Sequence, residues 1–368
     1  MKNLDEKEWK HLSAFGDRAP LYIETTNSSI DGIRLIDDKE KTVPYITRSD
    51  VNNGVARFVS AKNYEFGSDD GGCITVGLDT QTAFYQPHKF VTGQNIQVIT
   101  GNKLNEDVAQ FFVPILRQQM TAKFNWGGNG ATLGRMKRLS VMLPVDDKGE
   151  PDYEYMAEYT RQKRESMLSK YRAYCEKCLS ELGEEVDIPI LTEKEWAPFS
   201  IVGLFSKIIP GKGKGLNHLN KVSTNGVNYI GATNRNNGVL CYVEEDDYSR
   251  PKILDGNCIG FIKNGDGSAG FAIYKSERFI STSDVLYGYA DWLNKFTGLF
   301  FVVAQDMIEH KYSHGYKRNK EHLSGDKVML PVNELGEPDY KYMEQYTKNL
   351  LIRKYQQYLA YLERSALK

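Results

Sequence analysis

The side chains best suited to chemistry in this sequence are basic and aromatic residues, grouped in stretches that contain no acidic residue. Residues 117–138 carry five basic side chains, residues 310–320 carry four with two histidines, and residues 203–222 carry four lysines. Phe124, Trp126 and several Gly and Asn residues lie among them. This mixture suits a nucleic-acid backbone, with a few side chains left to reach base edges. Solvated surface loops are the alternative interpretation.

Patterns typical of catalysis are few. The segment 210–215, PGKGKG, lacks the Gly-x-x-x-x-Gly-Lys-Ser/Thr spacing of a phosphate-binding loop. Cys175 and Cys178 form a lone CxxC without a second pair or suitable histidines, so no metal site is expected. Asp152, with acidic and basic neighbours at 146 and 148, resembles a nuclease group, yet a Pro-Asp pair is better explained as a helix start. We expect no catalytic residue in this chain, with a nuclease kept as an alternative.

A repeated phrase divides the chain into two copies of one unit. VMLPVDDKGEPDYEYMAEYT begins at Val141, and VMLPVNELGEPDYKYMEQYT begins at Val328. The tag EKEW occurs at residues 6–9 and again at 193–196. Repetition over half of a chain predicts two similar domains. It also weakens the nuclease interpretation, because the residues at 146 and 148 become Asn333 and Leu335 in the second copy.

Each copy predicts a mixed α/β region followed by one long helix. Short β-like runs lead into Asn-Asn-Gly turns at residues 52–54 and 236–238, where Asn and Gly tolerate positive φ. After each Gly-Glu-Pro-Asp, about thirty residues without Gly or Pro carry apolar side chains at helical spacing. Such a helix is roughly 45 Å long. The two striped helices are expected to pack on each other as a coiled coil.

Composition sets limits on the class of protein. Apolar residues make up 40% and charged residues 26%, as in an ordinary globular protein. The net charge of −1 means that any basic binding face must be local. The chain starts without an apolar stretch, contains no run long enough for a membrane span, and has five cysteines, an odd number. We therefore expect a cytoplasmic protein with reduced thiols and no membrane contact.

Three motifs carry a resemblance to a known family. They are YIGATNRNNGV at residues 229–239, GSAGFAIY at 267–274 and KYSHGY at 311–316. The chain also repeats one order of elements twice: a domain, a strand with Leu-Pro, and a long helix. With the three motifs, this order makes the chain similar to the DNA-specificity (S) subunits of bacterial type I restriction-modification systems. The specificity subunits of type IIB restriction enzymes are closely similar. The first copy departs from the pattern, since KFNWGG at 123–128 replaces the KYSHG form.

The resemblance implies a fold and a division of the chain. The fold class is α/β, with two repeated target-recognition domains joined by two long antiparallel helices that form a coiled coil. The implied segments are residues 1–150, a first target-recognition domain; 151–186, a first spacer helix; 187–337, a second target-recognition domain; and 338–368, a second spacer helix. Each domain would read one half of a split DNA site. Because the loops of the two copies differ, the two half-sites are expected to differ, which gives an asymmetric target.

The resemblance also implies partners. The partners would be double-stranded DNA and DNA methyltransferase subunits, or a combined endonuclease–methyltransferase. This chain would carry no cofactor, and S-adenosylmethionine and magnesium would belong to the partner subunits. A repeat scaffold for protein partners stays an alternative. The residues predicted to bind DNA are Arg48, Lys123, Asn125, Trp126, Arg235, Lys311, Tyr312, His314, Lys317 and Arg318. Arginine can contact guanine with two hydrogen bonds, whereas lysine more often neutralises phosphate.

Overall fold

The computed structural model describes residues 3–16, 19–124, 130–213, 215–265, 267–313 and 315–366. The chain divides into two compact units, Met1–Tyr171 and Arg172–Lys368. This division differs from the sequence-based one, which separates the copies near residue 186. The division into four segments therefore stays a prediction. Among the described helices, none combines the length and apolar character needed to cross a membrane.

Over its described residues, the first unit contains three small sheets and two helices, followed by the start of a long third helix. Its elements are β1 (Trp9–Ser13), β2 (Tyr22–Thr25), β3 (Val43–Ile46), β4 (Val55–Val59), β5 (Cys73–Gly77), β6 (Thr82–Gln86), β7 (Val91–Thr92), β8 (Ile96–Thr100), α1 (Glu106–Lys123), α2 (Leu133–Met136), β9 (Ser140–Pro144) and α3 (Tyr153–Leu182). The order in the largest sheet is β2-β8-β5-β6, a second sheet has the order β4-β3-β7, and β1 pairs with β9.

Helix α1 is the centre of the first core. Asn105 caps its start, because the Asn105 side chain accepts a hydrogen bond of 2.9 Å from Val108 N. The apolar residues Phe112, Leu116 and Met120, four apart along the helix, are fully buried. Residues at this spacing share one helix face, so that face packs on the sheets while the other faces solvent. The core thus fixes the strand ends from which the turns extend.

The second unit repeats this plan with one additional strand. Its elements are β10 (Trp196–Ser200), β11 (Lys207–Pro210), β12 (Lys221–Val222), β13 (Val227–Ile230), β14 (Val239–Val243), β15 (Cys258–Ile262), β16 (Ala272–Lys275), β17 (Phe279–Ser281), β18 (Val285–Tyr289), α4 (Lys295–Asp306), α5 (Lys320–Gly325), β19 (Lys327–Pro331) and α6 (Tyr340–Ala366). The sheets have the orders β11-β18-β15-β16 and β12-β14-β13-β17, and β10 pairs with β19.

In each copy, the EKEW tag contacts the Gly-Glu-Pro-Asp phrase at the start of the long helix. Lys7 Nζ lies 2.6 Å from an oxygen of Asp152, and Lys194 Nζ lies 2.9 Å from one of Asp339. The other oxygen of each aspartate caps its helix by accepting a hydrogen bond of 3.0 Å from the backbone N–H three residues later. Burial opposes ionisation, but the lysine and backbone hydrogen bonds outweigh it and lower the pKa of both carboxyl groups. The Pro-Asp pairs are therefore helix starts, as predicted.

Within the second unit, the end of α3 packs antiparallel to α6. The rings of Tyr174 and Tyr355 meet edge to face at 6.1 Å. Further along the chain, Asn349 Nδ2 donates to Val186 O at 2.7 Å, and Tyr342 OH donates to Pro189 O at 2.9 Å. Residues later in the first segment thus contact residues earlier in α6, so the two segments run antiparallel. Helices α3 and α6 lie inside the predicted spacer segments.

Candidate DNA-recognition surfaces

Three connecting segments meet at one end of the first unit. They are the turn after β3, the hairpin turn between β5 and β6 at residues 78–81, and the segment that leads into α2. Asn52 and Asn53 have φ of 51° and 57° in the first turn, a conformation that Asn tolerates. Ala131 N donates to Leu78 O at 3.0 Å, which joins the third segment to the hairpin. Loops that a rigid sheet brings together in this way are typical binding elements.

Arg48 lies at this meeting point. Its Nη1 contacts a carboxylate oxygen of Asp79 on the hairpin turn, and Asn95 Nδ2 lies 3.5 Å from the same oxygen. The Arg48 side chain is 45% exposed, so the pair is open to solvent. An exposed ion pair contributes little stability, and its guanidinium can exchange the carboxylate for an outside acceptor at small cost. The structure therefore places Arg48 where a DNA contact is possible.

The other predicted residues of the first copy lie near the end of α1. Lys123 is its last residue and is exposed. Asn125 and Trp126 fall outside the described residues, so their predicted contacts stay predictions. Further along the chain, Arg135 Nη1 donates a hydrogen bond of 3.0 Å to Gly130 O, which stabilises the segment that leads into α2. Lys137 and Arg138 follow at exposed positions, which adds positive charge on this segment.

The second unit brings the equivalent three segments together. Arg235 lies at an exposed position in the turn after β13. That turn is tied to β16, since Asn237 Nδ2 donates to Tyr274 O at 3.0 Å and buried Lys275 Nζ donates to Asn237 O at 3.3 Å. It is also tied to the hairpin turn 263–271, because Ser268 Oγ donates to Asn234 Oδ1 at 3.0 Å. The second hairpin turn thus holds the turn that carries Arg235 through Asn234, whereas the first hairpin turn contacts the Arg48 side chain directly.

The third segment of the second unit, residues 309–319, faces the same hairpin turn. Between them lies an open groove of about 650 Å3 lined by Asn264, Phe271, Glu309, Tyr312 and Lys317, among others. Lys317 is exposed at the rim of this groove. Lys311 is also largely exposed, with its Nζ 3.6 Å from Asp326 Oδ1. His314 lies outside the described residues. The structure therefore brings Lys311, Lys317 and Arg235 around one hairpin turn.

Arg318 lies in the interior, although its charge suggested an exposed position in contact with DNA. Its side chain is fully buried, whereas the neighbouring Lys317 is exposed. Arg318 Nε donates to Asp326 Oδ2 at 2.8 Å, and Nη1 donates to Gly270 O at 3.0 Å and to Gln305 Oε1 at 2.5 Å. Nη2 lies 2.8 Å from the same Asp326 oxygen, outside hydrogen-bond geometry. Arg318 is thus an interior group, and its predicted DNA contact is corrected.

Tyr312 belongs to the same interior network. It is 7% exposed, and its hydroxyl donates to Asp326 Oδ2 at 2.8 Å. Burial, together with the bond to this carboxylate, raises the pKa of Tyr312 and keeps the hydroxyl protonated as a donor. Burial lowers the pKa of Arg318, but a guanidinium is so strongly basic that it stays charged. The Tyr312 hydroxyl is therefore committed to Asp326, while Tyr312 also lines the groove beside Lys317, and its predicted DNA contact stays a prediction.

The hairpin turns were missed as candidate binding elements. Their residues beside the predicted ones are Asp79 in the first unit and Lys263, Asn264 and Ser268 in the second. The sequence contained a signal, since Asn264-Gly-Asp-Gly is a polar, Gly-rich turn between two apolar runs. Charge alone did not single out these turns because they carry few lysines or arginines.

The exposure of Lys317 leads to a prediction about salt dependence. We expect Lys317→Ala to weaken DNA binding and to make the slope of log affinity against log salt concentration less steep by about one, as for the loss of one phosphate contact. The measurement is a titration of duplex DNA at several salt concentrations. Lys341→Ala, an exposed lysine on α6, is the matched control and should leave the slope unchanged. An unchanged slope in Lys317→Ala would remove this residue from the interface.

Comparisons with known proteins are consistent with the repeat. The family model of the type I restriction modification DNA specificity domain matches residues 28–168 and again 193–360. The type II restriction enzyme BgcI specificity subunit S.BcgI of Heyndrickxia coagulans is 27% identical over 331 residues, which cover 89% of this chain and 91% of that relative. The two segments matched by the family model correspond to the two copies of the repeat.

Solved structures of similar extent also match. The type I restriction-modification S subunit from M. genitalium is 12% identical with a TM-score of 0.47, and the match covers 100% of this chain and 95% of that one. The HsdS subunit from Thermoanaerobacter tengcongensis is 14% identical with a TM-score of 0.30, and the match covers 97% and 91% of the two chains.

Proposed function

Because this chain belongs to the type I restriction modification DNA specificity family and is a specificity subunit of a restriction-modification system, we propose that its two domains read two different half-sites of one split DNA site. As a specificity subunit, the chain is a DNA-recognition component and not itself an enzyme. Members of this family act with methyltransferase and restriction subunits. The asymmetry of the target and the residues that read it are the parts proposed here.

The difference between the hairpin turns carries the proposal of asymmetry. The turn between β5 and β6 has four residues, 78–81, whereas the turn between β15 and β16 has nine, 263–271. The second unit also has the added strand β12 and the groove beside Lys317. The frameworks repeat while the segments around Arg48 and Arg235 differ. Turns that differ in length and charge present different hydrogen-bond donors to base edges, so the two domains favour different base sequences.

We assign the exposed arginines and lysines separate roles. Arg48 and Arg235 are exposed in turns that a neighbouring hairpin supports, and a supported guanidinium can donate two hydrogen bonds to guanine. Lys123, Lys311 and Lys317 are exposed and suit phosphate oxygens. Phosphate contacts fix the position of a domain on the duplex, and base contacts select the sequence. Asn125, Trp126 and His314 remain candidates on the sequence alone.

The two long helices are proposed to set the spacing of the half-sites. Helix α3 has 30 residues and α6 has 27. At 1.5 Å per residue each is roughly 40–45 Å long. This is slightly more than one turn of B-DNA, roughly 34–36 Å. A gap of several base pairs between half-sites follows from a spacer of this length.

Catalysis is proposed to lie on partner subunits. The expected partners are DNA methyltransferase subunits or a combined endonuclease–methyltransferase, which would carry S-adenosylmethionine and magnesium. Asp152, the nuclease candidate, is committed to Lys7 and to a helix N-terminus, as its counterpart Asp339 is to Lys194 and to the second helix. A carboxylate held in this way is a structural cap and has no need of a metal ion.

A binding and cleavage assay tests this function. Purified chain, alone and with its methyltransferase partner, is incubated with duplex DNA and magnesium. The proposal expects sequence-selective binding and no cleavage by the chain alone. Cleavage by the chain alone would favour a nuclease, and a lack of DNA affinity even with the partner would favour a protein scaffold. Either result would contradict the proposal.

A further inference from the structure

A buried polar network anchors the third segment of the second unit. We call it the Arg318 anchor; it consists of Arg318, Asp326, Gln305 and Tyr312. All four side chains are nearly or fully buried, with exposures between 0% and 7%. The Asp326 carboxylate accepts from both Arg318 and Tyr312, and Arg318 also donates to Gln305. The anchor therefore links segment 309–319 to α4 and to the residue just before β19.

The anchor also holds the hairpin turn at both of its ends. Arg318 N donates to Lys263 O at 3.0 Å, where the turn begins. The guanidinium donates to Gly270 O at 3.0 Å, near the point where the turn ends, and Gln305 Nε2 donates to the same oxygen at 3.1 Å. Gly270 has φ of +93°, and a Cβ there would lie 2.8 Å from the Tyr312 ring. One residue thus fixes the distance between the two segments that border the groove beside Lys317.

The first unit fills the same positions with apolar residues. Ala131 and Leu139 precede Arg318 and Asp326 by 187 residues, the offset between Val141 and Val328. Leu116 matches Gln305, because each lies five residues after a phenylalanine, Phe111 or Phe300, that stacks on the equivalent tryptophan at 6.2 Å. These three residues are 0–2% exposed and belong to one apolar core. Phe124 takes the place of Tyr312 in the motif.

The comparison separates two roles of the anchor. The backbone bond is common to both units, since Ala131 N donates to Leu78 O at 3.0 Å as Arg318 N donates to Lys263 O. Among the residues that the structure describes, only those of the second unit add side-chain bonds across to the far end of the hairpin turn. A buried ion pair is a weak source of stability compared with apolar residues of similar volume. The apolar core of the first unit shows that this fold does not need the network to pack.

We propose that Arg318 is a positioning residue for DNA specificity: it holds the described parts of segment 309–319 (309–313 and 315–319) and of the hairpin turn 263–271 (263–265 and 267–271) in one fixed arrangement, which selects the half-site of the second domain. The inference rests on the proposed function. Lys317, next to Arg318 in the chain, and Asn264, next to Lys263, line the groove between these segments. Side chains that read DNA must be held within about 0.5 Å of their working geometry. The Arg318 anchor supplies this constraint where the first unit uses a shorter hairpin turn.

The test replaces the anchor by the residues of the first unit. The apolar-core variant carries Gln305→Leu, Tyr312→Phe, Arg318→Ala and Asp326→Leu together, so no buried charge is left unpaired. Wild-type and variant chains, each with the methyltransferase partner, select binding sites from random duplex DNA. We expect a folded variant in which one half-site loses about tenfold or more in discrimination, while the other half-site is selected as in the wild type. A purely structural role would change stability and leave both half-sites as they were.

A second variant decides the matter if the apolar-core variant does not fold. Arg318→Lys keeps a charge opposite Asp326, but a single ammonium lacks the planar fork that reaches Asp326 and Gly270 O together. We expect Arg318→Lys to fold and to lose discrimination at the same half-site. A folded variant of either kind that selects both half-sites as the wild type does would overturn the inference. A wild-type complex that selects no sequence would overturn the proposed function, and the inference with it.

Discussion

Arg318→Ala should lower the free energy of unfolding of the second unit by about 3–5 kcal/mol, the usual effect of removing one partner of a buried ion pair. The substitution leaves the Asp326 carboxylate, only 3% exposed as a residue, without its closest cation. It also removes a donor from Gly270 O and from Gln305 Oε1. Urea denaturation of the full chain measures the loss, and hydrogen exchange of peptides from residues 258–331 assigns it to this unit.

Lys317→Ala is the matched control for this stability measurement. Lys317 is the preceding residue and carries the same charge, but it is exposed. Its removal should change the free energy of unfolding by no more than about 0.5 kcal/mol. Equal effects of the two substitutions would contradict the placement of Arg318 in the interior. The apolar-core variant should recover most of the stability that Arg318→Ala loses, because it leaves no unpaired charge.

Raising the salt concentration from about 50 mM to about 200 mM should weaken DNA binding by roughly 10³–10⁵-fold, if six to ten phosphates are contacted. The exposed or half-exposed cations on the segments around the two hairpin turns can supply this number of contacts. Apart from Arg48 and Arg235, which we assign to bases, they are Lys123, Arg135, Lys137 and Arg138 in the first unit, and Lys263, Lys311, Lys317 and Lys320 in the second. Bound counterions are released when these cations meet phosphate, and added salt opposes that release. Fluorescence anisotropy with a labelled duplex measures the effect.

The ratio of specific to non-specific binding supplies the control for salt. Salt should weaken the two kinds of binding by similar factors, because phosphate contacts carry no sequence information. An affinity that changes by less than about tenfold over the same range would mean that few of these cations contact DNA. It would then contradict the assignment of the segments around the hairpin turns as the interface.

The framework of this protein was predictable from the sequence because it is repeated. The Gly-Glu-Pro-Asp phrase predicted two helix starts, and Asp152 and Asp339 cap them. The Asn-Asn-Gly turns predicted positive φ, which residues 52–54 and 236–238 adopt. In each case a short local pattern determines a local structure, so no knowledge of distant residues was needed.

The candidate site was less predictable because its segments are irregular. The sequence of residues 311–319 shows no helical or strand periodicity, so no pattern predicts which side chains point inward. Lys317 and Arg318 therefore looked alike by charge. Their difference comes from Asp326, eight residues further along the chain, and from Gln305 and Gly270, which carry no charge. One signal was available, since the positions of Arg318 and Asp326 are Ala131 and Leu139 in the first copy. Two positions that carry an ion pair in one copy and two apolar residues in the other are typically buried positions.

The central claim is that one chain reads two different half-sites, and selection from random duplex DNA tests it most directly. The wild-type chain with its methyltransferase partner is used for repeated rounds of selection, and the retained duplexes are sequenced. We expect two short conserved blocks of different sequence, separated by a gap of constant length and variable bases. A palindromic pair of blocks, or one continuous block without a gap, would contradict the claim.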